Sequence, residues 1–176
     1  VLSKMGYTLT DPGRYQNLTQ TFASHIAAFK RDNTEIITGV VIPPDMKTFL
    51  TQARQQALRP KVISVGKALL FPGAVEALGE LGDGLSTEVW WTPSHPYKSS
   101  INGLSARQVA DRYEADTKKQ WTQPIGFSHA LFEVAVDVLK RTQDPSKRES
   151  LRAALAATNV NTLVGPVKFG GQGPFK

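Results

Sequence analysis

The sequence predicts an α/β fold in which helices flank a parallel β-sheet. Two short runs rich in β-branched residues, at positions 35–42 and 61–65, have the nearly continuous apolar character of strands covered on both faces. Between them, apolar residues recur at helical spacing over residues 45–57. Strand, helix and strand in this order predict a parallel βαβ unit.

A helix is also predicted before the first strand, over residues 15–31. Its apolar residues are spaced by four, four and three positions and therefore share one helical face. They are Leu18, Phe22, Ile26 and Phe29. The preceding Asp11-Pro12-Gly13 predicts a turn.

Beyond the second strand, the alternation of helix and strand occurs once more before the chain becomes helical. A short helix is predicted over residues 72–81 and a third strand over residues 85–91. Three helices are predicted after that strand. The middle one covers residues 125–141, and its high apolar content predicts that it is largely buried.

Capping and turn residues predict where the later elements begin. Ser105 and Gln108 have the spacing of a capping box, and Asp144 followed by Pro145 predicts another helix start. Residues 161–169 return to a strand pattern, and a glycine-rich turn is predicted after them.

Composition and motifs exclude several classes of function. The 176 residues and 40% hydrophobic content allow one ordinary core or two incomplete ones, and the absence of cysteine excludes disulfides and thiolate chemistry. The net charge of +6 comes from scattered basic residues near predicted helix ends, where cations complement the helix dipole, so no nucleic-acid partner is expected. His25, His95 and His129 lack metal-ligand spacing, and no phosphate-binding glycine loop is present. We therefore expect neither a metal nor a cofactor.

Read in order, these elements resemble the second half of a type I periplasmic binding protein, from the family that binds leucine, isoleucine and valine. Five pieces in matching order carry the resemblance. They are residues 22–30, residues 35–42, residues 44–46 with the helix at 50–54, residues 58–63 and residues 160–169. The resemblance implies two flavodoxin-like lobes, each a parallel sheet flanked by helices, of which this chain is a fragment.

The same resemblance implies how the chain divides and what it does. Residues 1–91 would form most of the second ligand-binding lobe, residues 92–162 a helical portion returning to the first lobe, and residues 163–176 a segment crossing back. The implied function is the solute-binding component of an ABC-type importer, which captures a small organic acid or amino acid between its lobes and delivers it to a membrane permease. The implied location is periplasmic or extracytoplasmic, with a signal sequence upstream. A ligand-sensing regulator of the same fold is the alternative.

In open α/β sheets, ligands bind at the carboxyl ends of the parallel strands. The first such end is followed by Ile42 and Pro43. By the resemblance, Ile42 stands where amino acid-binding relatives carry an aromatic residue against the ligand. Pro43 has no N–H to donate, so this loop favours apolar contact. The alternative is a turn that only starts the next helix.

The second strand end is followed by Gly66, Lys67 and Ala68. By the resemblance, Gly66 stands where relatives carry a glutamate that pairs with the ammonium group of the ligand. Lys67 reverses the local charge and favours a carboxylate-bearing solute that lacks an α-amino group, such as an aromatic or other organic acid. One alternative is an exposed surface lysine, and another is an enzyme that forms a Schiff base on Lys67.

Two further aromatic positions are candidates for ligand contact. Neighbouring strand residues point to opposite faces, so one of Trp90 and Trp91 is expected in the core and the other against an apolar ligand. We favour Trp91 as the ligand contact. His129 aligns with a ligand-facing aromatic residue of relatives, and a buried structural histidine is the alternative.

Overall fold

The computed structural model describes residues 2–170, which form two compact units that divide between Glu88 and Val89. The first unit contains a three-stranded parallel sheet with helices, and the second contains three helices and a two-stranded hairpin. The predicted α/β fold is confirmed. None of the helices within residues 2–170 is both long enough and apolar enough to cross a membrane.

The sheet of the first unit follows the predicted βαβ arrangement. Strands β1 (Ile36–Val40), β2 (Val62–Gly66) and β3 (Leu85–Ser86) lie in the order β1-β2-β3, and both pairings are parallel. In this register Val40 pairs with Gly66, so the carboxyl ends of β1 and β2 lie side by side.

Helices α1 (Ala23–Arg31) and α2 (Pro43–Gln55) form the core of the first unit together with the sheet. A five-residue helix α3 (Pro72–Glu76) and a 3₁₀ turn at Gly79–Gly82 precede β3. The buried core side chains are Phe22, Ile26, Ile37, Met46, Phe49, Leu50, Ala53, Val65, Ala68 and Leu78. The buried apolar residues of α2 recur every three or four positions, as the helical spacing predicted.

The prediction of a helix starting at residue 15 was wrong, because α1 begins only at Ala23. Leu18 has a positive φ of 64° and is 63% exposed, so it is neither helical nor part of an apolar face. Its N–H donates to the carboxylate of Asp45, and the N–H of Phe22 donates to Oε1 of Gln52 at 2.7 Å. Side chains of α2 thus bind the backbone that would otherwise form the first turns of the helix.

The third strand is also much shorter than predicted, with two residues instead of seven. Its pairing with β2 ends at Ser64 and Ser86. Beyond that point the backbone N–H of Lys67 donates to the side chain of Glu88 instead of a carbonyl of the neighbouring chain, at 2.9 Å. The sheet ladder therefore stops where this side-chain contact begins.

The second unit contains helices α4 (Ala106–Thr117), α5 (Pro124–Arg141) and α6 (Arg148–Ala156). Strands β4 (Asn159–Thr162) and β5 (Gly165–Lys168) form an antiparallel hairpin. Its buried apolar cluster consists of Trp91, Ala106, Ala110 and Leu163. The predicted capping box is present at the start of α4, where the Ser105 hydroxyl accepts from the Gln108 N–H and the Gln108 side chain accepts from the Ser105 N–H.

Two predictions for the second unit need correction, and a third is not tested. The strand expected over residues 161–169 is a hairpin, because a turn with Gly165 at a φ of 109° reverses the chain. Helix α6 begins at Arg148, because the Asp144 carboxylate binds the N–H and hydroxyl of Ser146 and forms a separate turn. The glycine-rich turn expected after residue 169 lies outside the described residues, apart from Gly170.

Helix α5 is less buried than its apolar content predicted. Its buried residues are Gly126, Ala130, Glu133 and Val138. Leu131 and Phe132 on the same helix are 69% and 67% exposed. Apolar content alone did not distinguish the side that packs within the unit from the side that does not.

Candidate functional site

The first candidate site lies in the first unit, at the paired carboxyl ends of β1 and β2. The N–H of Val41 donates to the Gly66 carbonyl at 3.2 Å, so the two chains stay together one residue beyond the strands. Helix α2 then begins directly at Pro43, and both Ile42 and Pro43 are half-buried. The proline at the first helical position leaves no N–H there, as the sequence predicted.

The start of α2 carries a buried carboxylate that the sequence did not single out. Asp45 is 1% exposed, and its two oxygens accept the Leu18 N–H at 2.9 and 3.2 Å. Burial and then the nearby Asp45 charge raise the pKa of Tyr15 above its ordinary value. Asp45 therefore holds the preceding segment of chain on α2, which is a structural role.

Gly66 and Lys67 stand beside a second carboxylate, that of Glu88. A Cβ placed on Gly66 would lie 3.0 Å from Oε1 and 3.1 Å from Oε2 of Glu88. The backbone N–H of Lys67 donates to Oε1 at 2.9 Å, and the Thr87 hydroxyl donates to Oε2 at 2.7 Å. These contacts hold an acidic group beside Gly66.

The other two residues at this strand end differ in exposure. Lys67 has a positive φ of 70° and an exposed side chain, whereas Ala68 is 1% exposed and its N–H donates to the Gly66 carbonyl. The chain therefore bends sharply after β2. Lys67 is brought to the surface, and Ala68 contributes to the core.

The sequence reasoning missed Glu88 because the residue is 21 positions from Lys67. The signal that could have identified it is the strand register. Ser64 pairs with Ser86, so the residue two positions further on each chain brings Gly66 opposite Glu88. That signal is readable only when the pairing of β2 with β3 is known.

The two tryptophans lie in the second unit with exposures opposite to those expected. Trp91 is fully buried and packs edge-to-face on Trp121 with ring centroids 5.9 Å apart. Trp90 is 41% exposed and lies 5.1 Å from the ring of Phe127. The reversal arises because Gly126 has no side chain and leaves room for the Trp91 indole to pack against α5. Ligand contact by either tryptophan stays a prediction.

His129 is half-buried and forms part of a hydrogen-bonded junction within the second unit. Its Nε2 lies 2.8 Å from Oγ of Ser99, which is 4% exposed and also accepts the Ile101 N–H. One turn later on α5, the buried Glu133 carboxylate accepts the N–H and hydroxyl of Ser100 and the Leu163 N–H. These bonds attach the loop around residue 100 and the β4–β5 hairpin to α5. A role of His129 in ligand binding stays a prediction.

No group of three or more His, Asp or Glu side chains among residues 2–170 is arranged to hold a metal ion. The chemistry that the described residues offer at the strand ends is recognition by charge, hydrogen bonding and apolar contact. In open α/β sheets, ligands bind at the carboxyl edge, where these charged and apolar residues lie.

A family model for periplasmic binding proteins matches residues 1–173, and the chain belongs to that family. The resemblance predicted from the sequence is therefore confirmed. A search of curated proteins finds no match.

Solved structures with the same fold bind chemically different solutes. The leucine-binding protein of Thermotoga maritima is 20% identical, with a TM-score of 0.71 over 88% of this chain and 42% of that one. An R. palustris solute-binding protein in complex with benzoate is 19% identical, with a TM-score of 0.62 over 86% and 40% of the two chains. A Brucella ovis protein that binds leucine, isoleucine, valine, threonine and alanine is 17% identical, with a TM-score of 0.65 over 94% and 42%. At these identities the likeness establishes the fold, and the chain spans about two fifths of each structure's length.

Proposed function

We propose that this protein is the solute-binding component of an ABC-type importer and captures a small organic acid or amino acid. The observation that carries the proposal is the match of the periplasmic binding protein family to residues 1–173. The structures with this fold include proteins that bind leucine and benzoate, which share a carboxylate. Both ligands therefore belong to the class of carboxylate-bearing solutes.

The geometry of the strand ends supports recognition without covalent chemistry. Ile42 and Pro43 are half-buried next to the end of β2, where they offer apolar contact to a solute. Gly66, Lys67 and Ala68 form the sharp bend beside them, and the exposed Lys67 ammonium suits a carboxylate. In the second unit the exposed Trp90 and the half-buried His129 are further candidates, whereas Trp91, the tryptophan that the sequence favoured, packs in the core.

In the proposed mechanism, ligand binding favours a closed arrangement of the two lobes of the family fold over an open one. Such a shift requires only that the solute bind the closed state more tightly. The closed form then delivers the solute to a membrane permease. This role makes the protein non-enzymatic and places it in the periplasm or another extracytoplasmic compartment.

A thermal-shift screen of the full-length protein tests this proposal. The panel should contain amino acids, aromatic acids and dicarboxylates, each at a concentration well above the dissociation constants expected for transport. A ligand at one hundred times its dissociation constant stabilises the folded state by about 2.7 kcal/mol, which is a readily measured shift. The proposal fails if no small solute in a broad panel raises the melting temperature.

The Lys67→Ala variant tests the expected contact with a carboxylate. Affinity for an organic acid should fall about fivefold or more by calorimetry, as expected when a charge-assisted hydrogen bond is lost. Unchanged affinity would remove Lys67 from the site and leave the proposed transport role intact.

A further inference from the structure

Strand β1 lies at the edge of the sheet, although its sequence is that of a strand with neighbours on both sides. The order β1-β2-β3 leaves one long side of β1 without a neighbouring strand within residues 2–170. Ile36 is 51% and Val40 75% exposed, whereas Ile37 is buried. Parallel strands of α/β proteins are normally covered on both faces and rich in β-branched residues. The exposure of β1 therefore conflicts with its composition.

The open side of β1 presents backbone groups that are ready to pair. The Val41 N–H donates to the Gly66 carbonyl at 3.2 Å, so this residue bonds towards β2. Every second residue of a parallel strand bonds to the same neighbour, so the residues two and four positions earlier also bond towards β2. The N–H and C=O groups of the residues between them point away from β2, and these residues are Ile36, Thr38 and Val40. Such a row of unpaired groups is a template for another strand.

A second stretch of backbone without backbone partners borders the same space. Residues 6–13 and β1 both line a cavity of about 720 Å³. Residues 8–12 are neither helix nor strand, and they form no backbone–backbone hydrogen bond with any other residue in the described part of the chain. The side chain of Thr10 holds this segment through a 2.9 Å bond to Asp32. The cavity therefore separates two stretches of backbone that lack a ladder partner.

The walls of the cavity include residues of the hydrophobic core. Ile37, Met46 and Val65 belong to the buried core cluster, and Phe29 of α1 packs against it. All four also line the cavity, which therefore continues the core of the first unit. A strand of five residues spans roughly 17 Å, the same length as β1. Its side chains can cover these apolar walls while its N–H and C=O groups pair with the edge, which a small apolar molecule cannot do.

We propose that a β-strand from a part of the full-length polypeptide outside residues 1–176 occupies this cavity and pairs in parallel with β1. The chain spans about two fifths of the length of solved structures with this fold, so polypeptides of this family have sequence to supply such a strand. The pairing is parallel because both existing pairings are, and purely parallel sheets are favoured. The strand goes beyond the proposed function, since it holds with or without a bound solute.

Amide hydrogen exchange followed by NMR on the full-length protein tests the pairing. The N–H groups of Ile36, Thr38 and Val40 should be protected to within about tenfold of those of Ile37 and Gly39, because all five then lie between paired strands. Exchange of the first three at the rate of unstructured chain, with the other two protected, overturns the proposal. Both results are read without any solute, so they are independent of the outcome of the thermal-shift screen.

Proline substitution provides a second measurement on the full-length protein. Thr38→Pro removes an N–H that faces away from β2, and proline is tolerated where a strand's N–H faces solvent but not inside a sheet. It should therefore lower the melting temperature by roughly 5 °C or more. Thr38→Ala is the matched control, because it removes the same hydroxyl and methyl groups and keeps the N–H. Equal melting temperatures of the two variants overturn the proposal. If Thr38→Pro yields no folded protein, the exchange measurement on the unsubstituted chain decides.

The molecular mass in solution identifies the source of the strand. Protection of the open side of β1 in a monomer, unchanged on dilution, is the expected result, because the strand then belongs to the same polypeptide. Protection that disappears on dilution together with a dimeric mass shows that a second copy covers β1. That outcome overturns the proposed source of the strand.

Discussion

Replacing Gly126 with alanine is expected to destabilise the second unit by forcing a methyl group into the ring of Trp91. The new Cβ would lie 2.0 Å from Cγ, 2.3 Å from Cδ1 and 2.4 Å from Cδ2 of the indole. Favourable carbon–carbon contacts are about 3.5–4.0 Å long, so the ring or the helix must move by roughly 1.5 Å. Trp91 is fully buried against Trp121, so the ring has no open side to move towards.

The expected loss of stability follows from two opposing terms. Overpacking a core costs about 1–3 kcal/mol, and the upper end applies because the clash is with a rigid ring. Alanine is better than glycine in a helix by about 1 kcal/mol, which offsets part of that cost. The net loss in the free energy of unfolding is about 2 kcal/mol. For a chain of this length it corresponds to a fall of about 4–8 °C in melting temperature.

Urea unfolding followed by tryptophan fluorescence measures this change, with Gly73→Ala as the matched control. Gly73 also lies in a helix, α3, and nothing lies within 4 Å of its added Cβ. The control should therefore be neutral or slightly stabilising. In a Trp91→Ala background, the Gly126→Ala change should lose its cost, which a double-mutant cycle detects. Equal stability of Gly126→Ala and Gly73→Ala would refute the packing argument.

Three other predictions follow from hydrogen bonds of the second unit. Glu133→Gln places an amide among the hydrogen-bond donors of Ser100 and Leu163. It should lower the free energy of unfolding by about 2–3 kcal/mol in urea titrations, and an effect below about 0.5 kcal/mol would contradict the prediction. Ser105→Ala removes the cap of α4 and should cost about 1 kcal/mol in the same assay, whereas Ser105→Asp should largely preserve stability. The hydroxyl and then the N–H of Ser146 hold the pKa of Asp144 below its ordinary value of 3.8 in the folded state. Because the folded pKa is depressed, the ionised Asp144 contributes to the stability of the folded state above pH 3.8, and this contribution is lost as the pH falls through the lower folded value. NMR titration should therefore find an Asp144 pKa under 3.8 that rises in Ser146→Ala.

The two central strands, α2 and the capping box of α4 could be predicted because their signals are local. A continuous apolar run, a helical spacing and a Ser–Gln pair three residues apart each concern neighbours in the chain. The order of these elements along the chain was also sufficient to predict the family. The sequence also predicted which strand ends form the candidate site, since ligands bind at the carboxyl edge of parallel strands.

The remaining features depend on residues that meet only in the tertiary structure. The late start of α1 depends on Asp45, which binds the Leu18 N–H from 27 positions away. Burial of Trp91 and exposure of Trp90 depend on the space left by Gly126.

Likewise, the sequence determined that Gly66 carries no charge, but only the packing of β3 beside β2 brought Glu88 to the same place. Local patterns specify elements because they act over a few residues. The charge of a binding surface is decided by side chains that strand pairing brings together from distant parts of the chain.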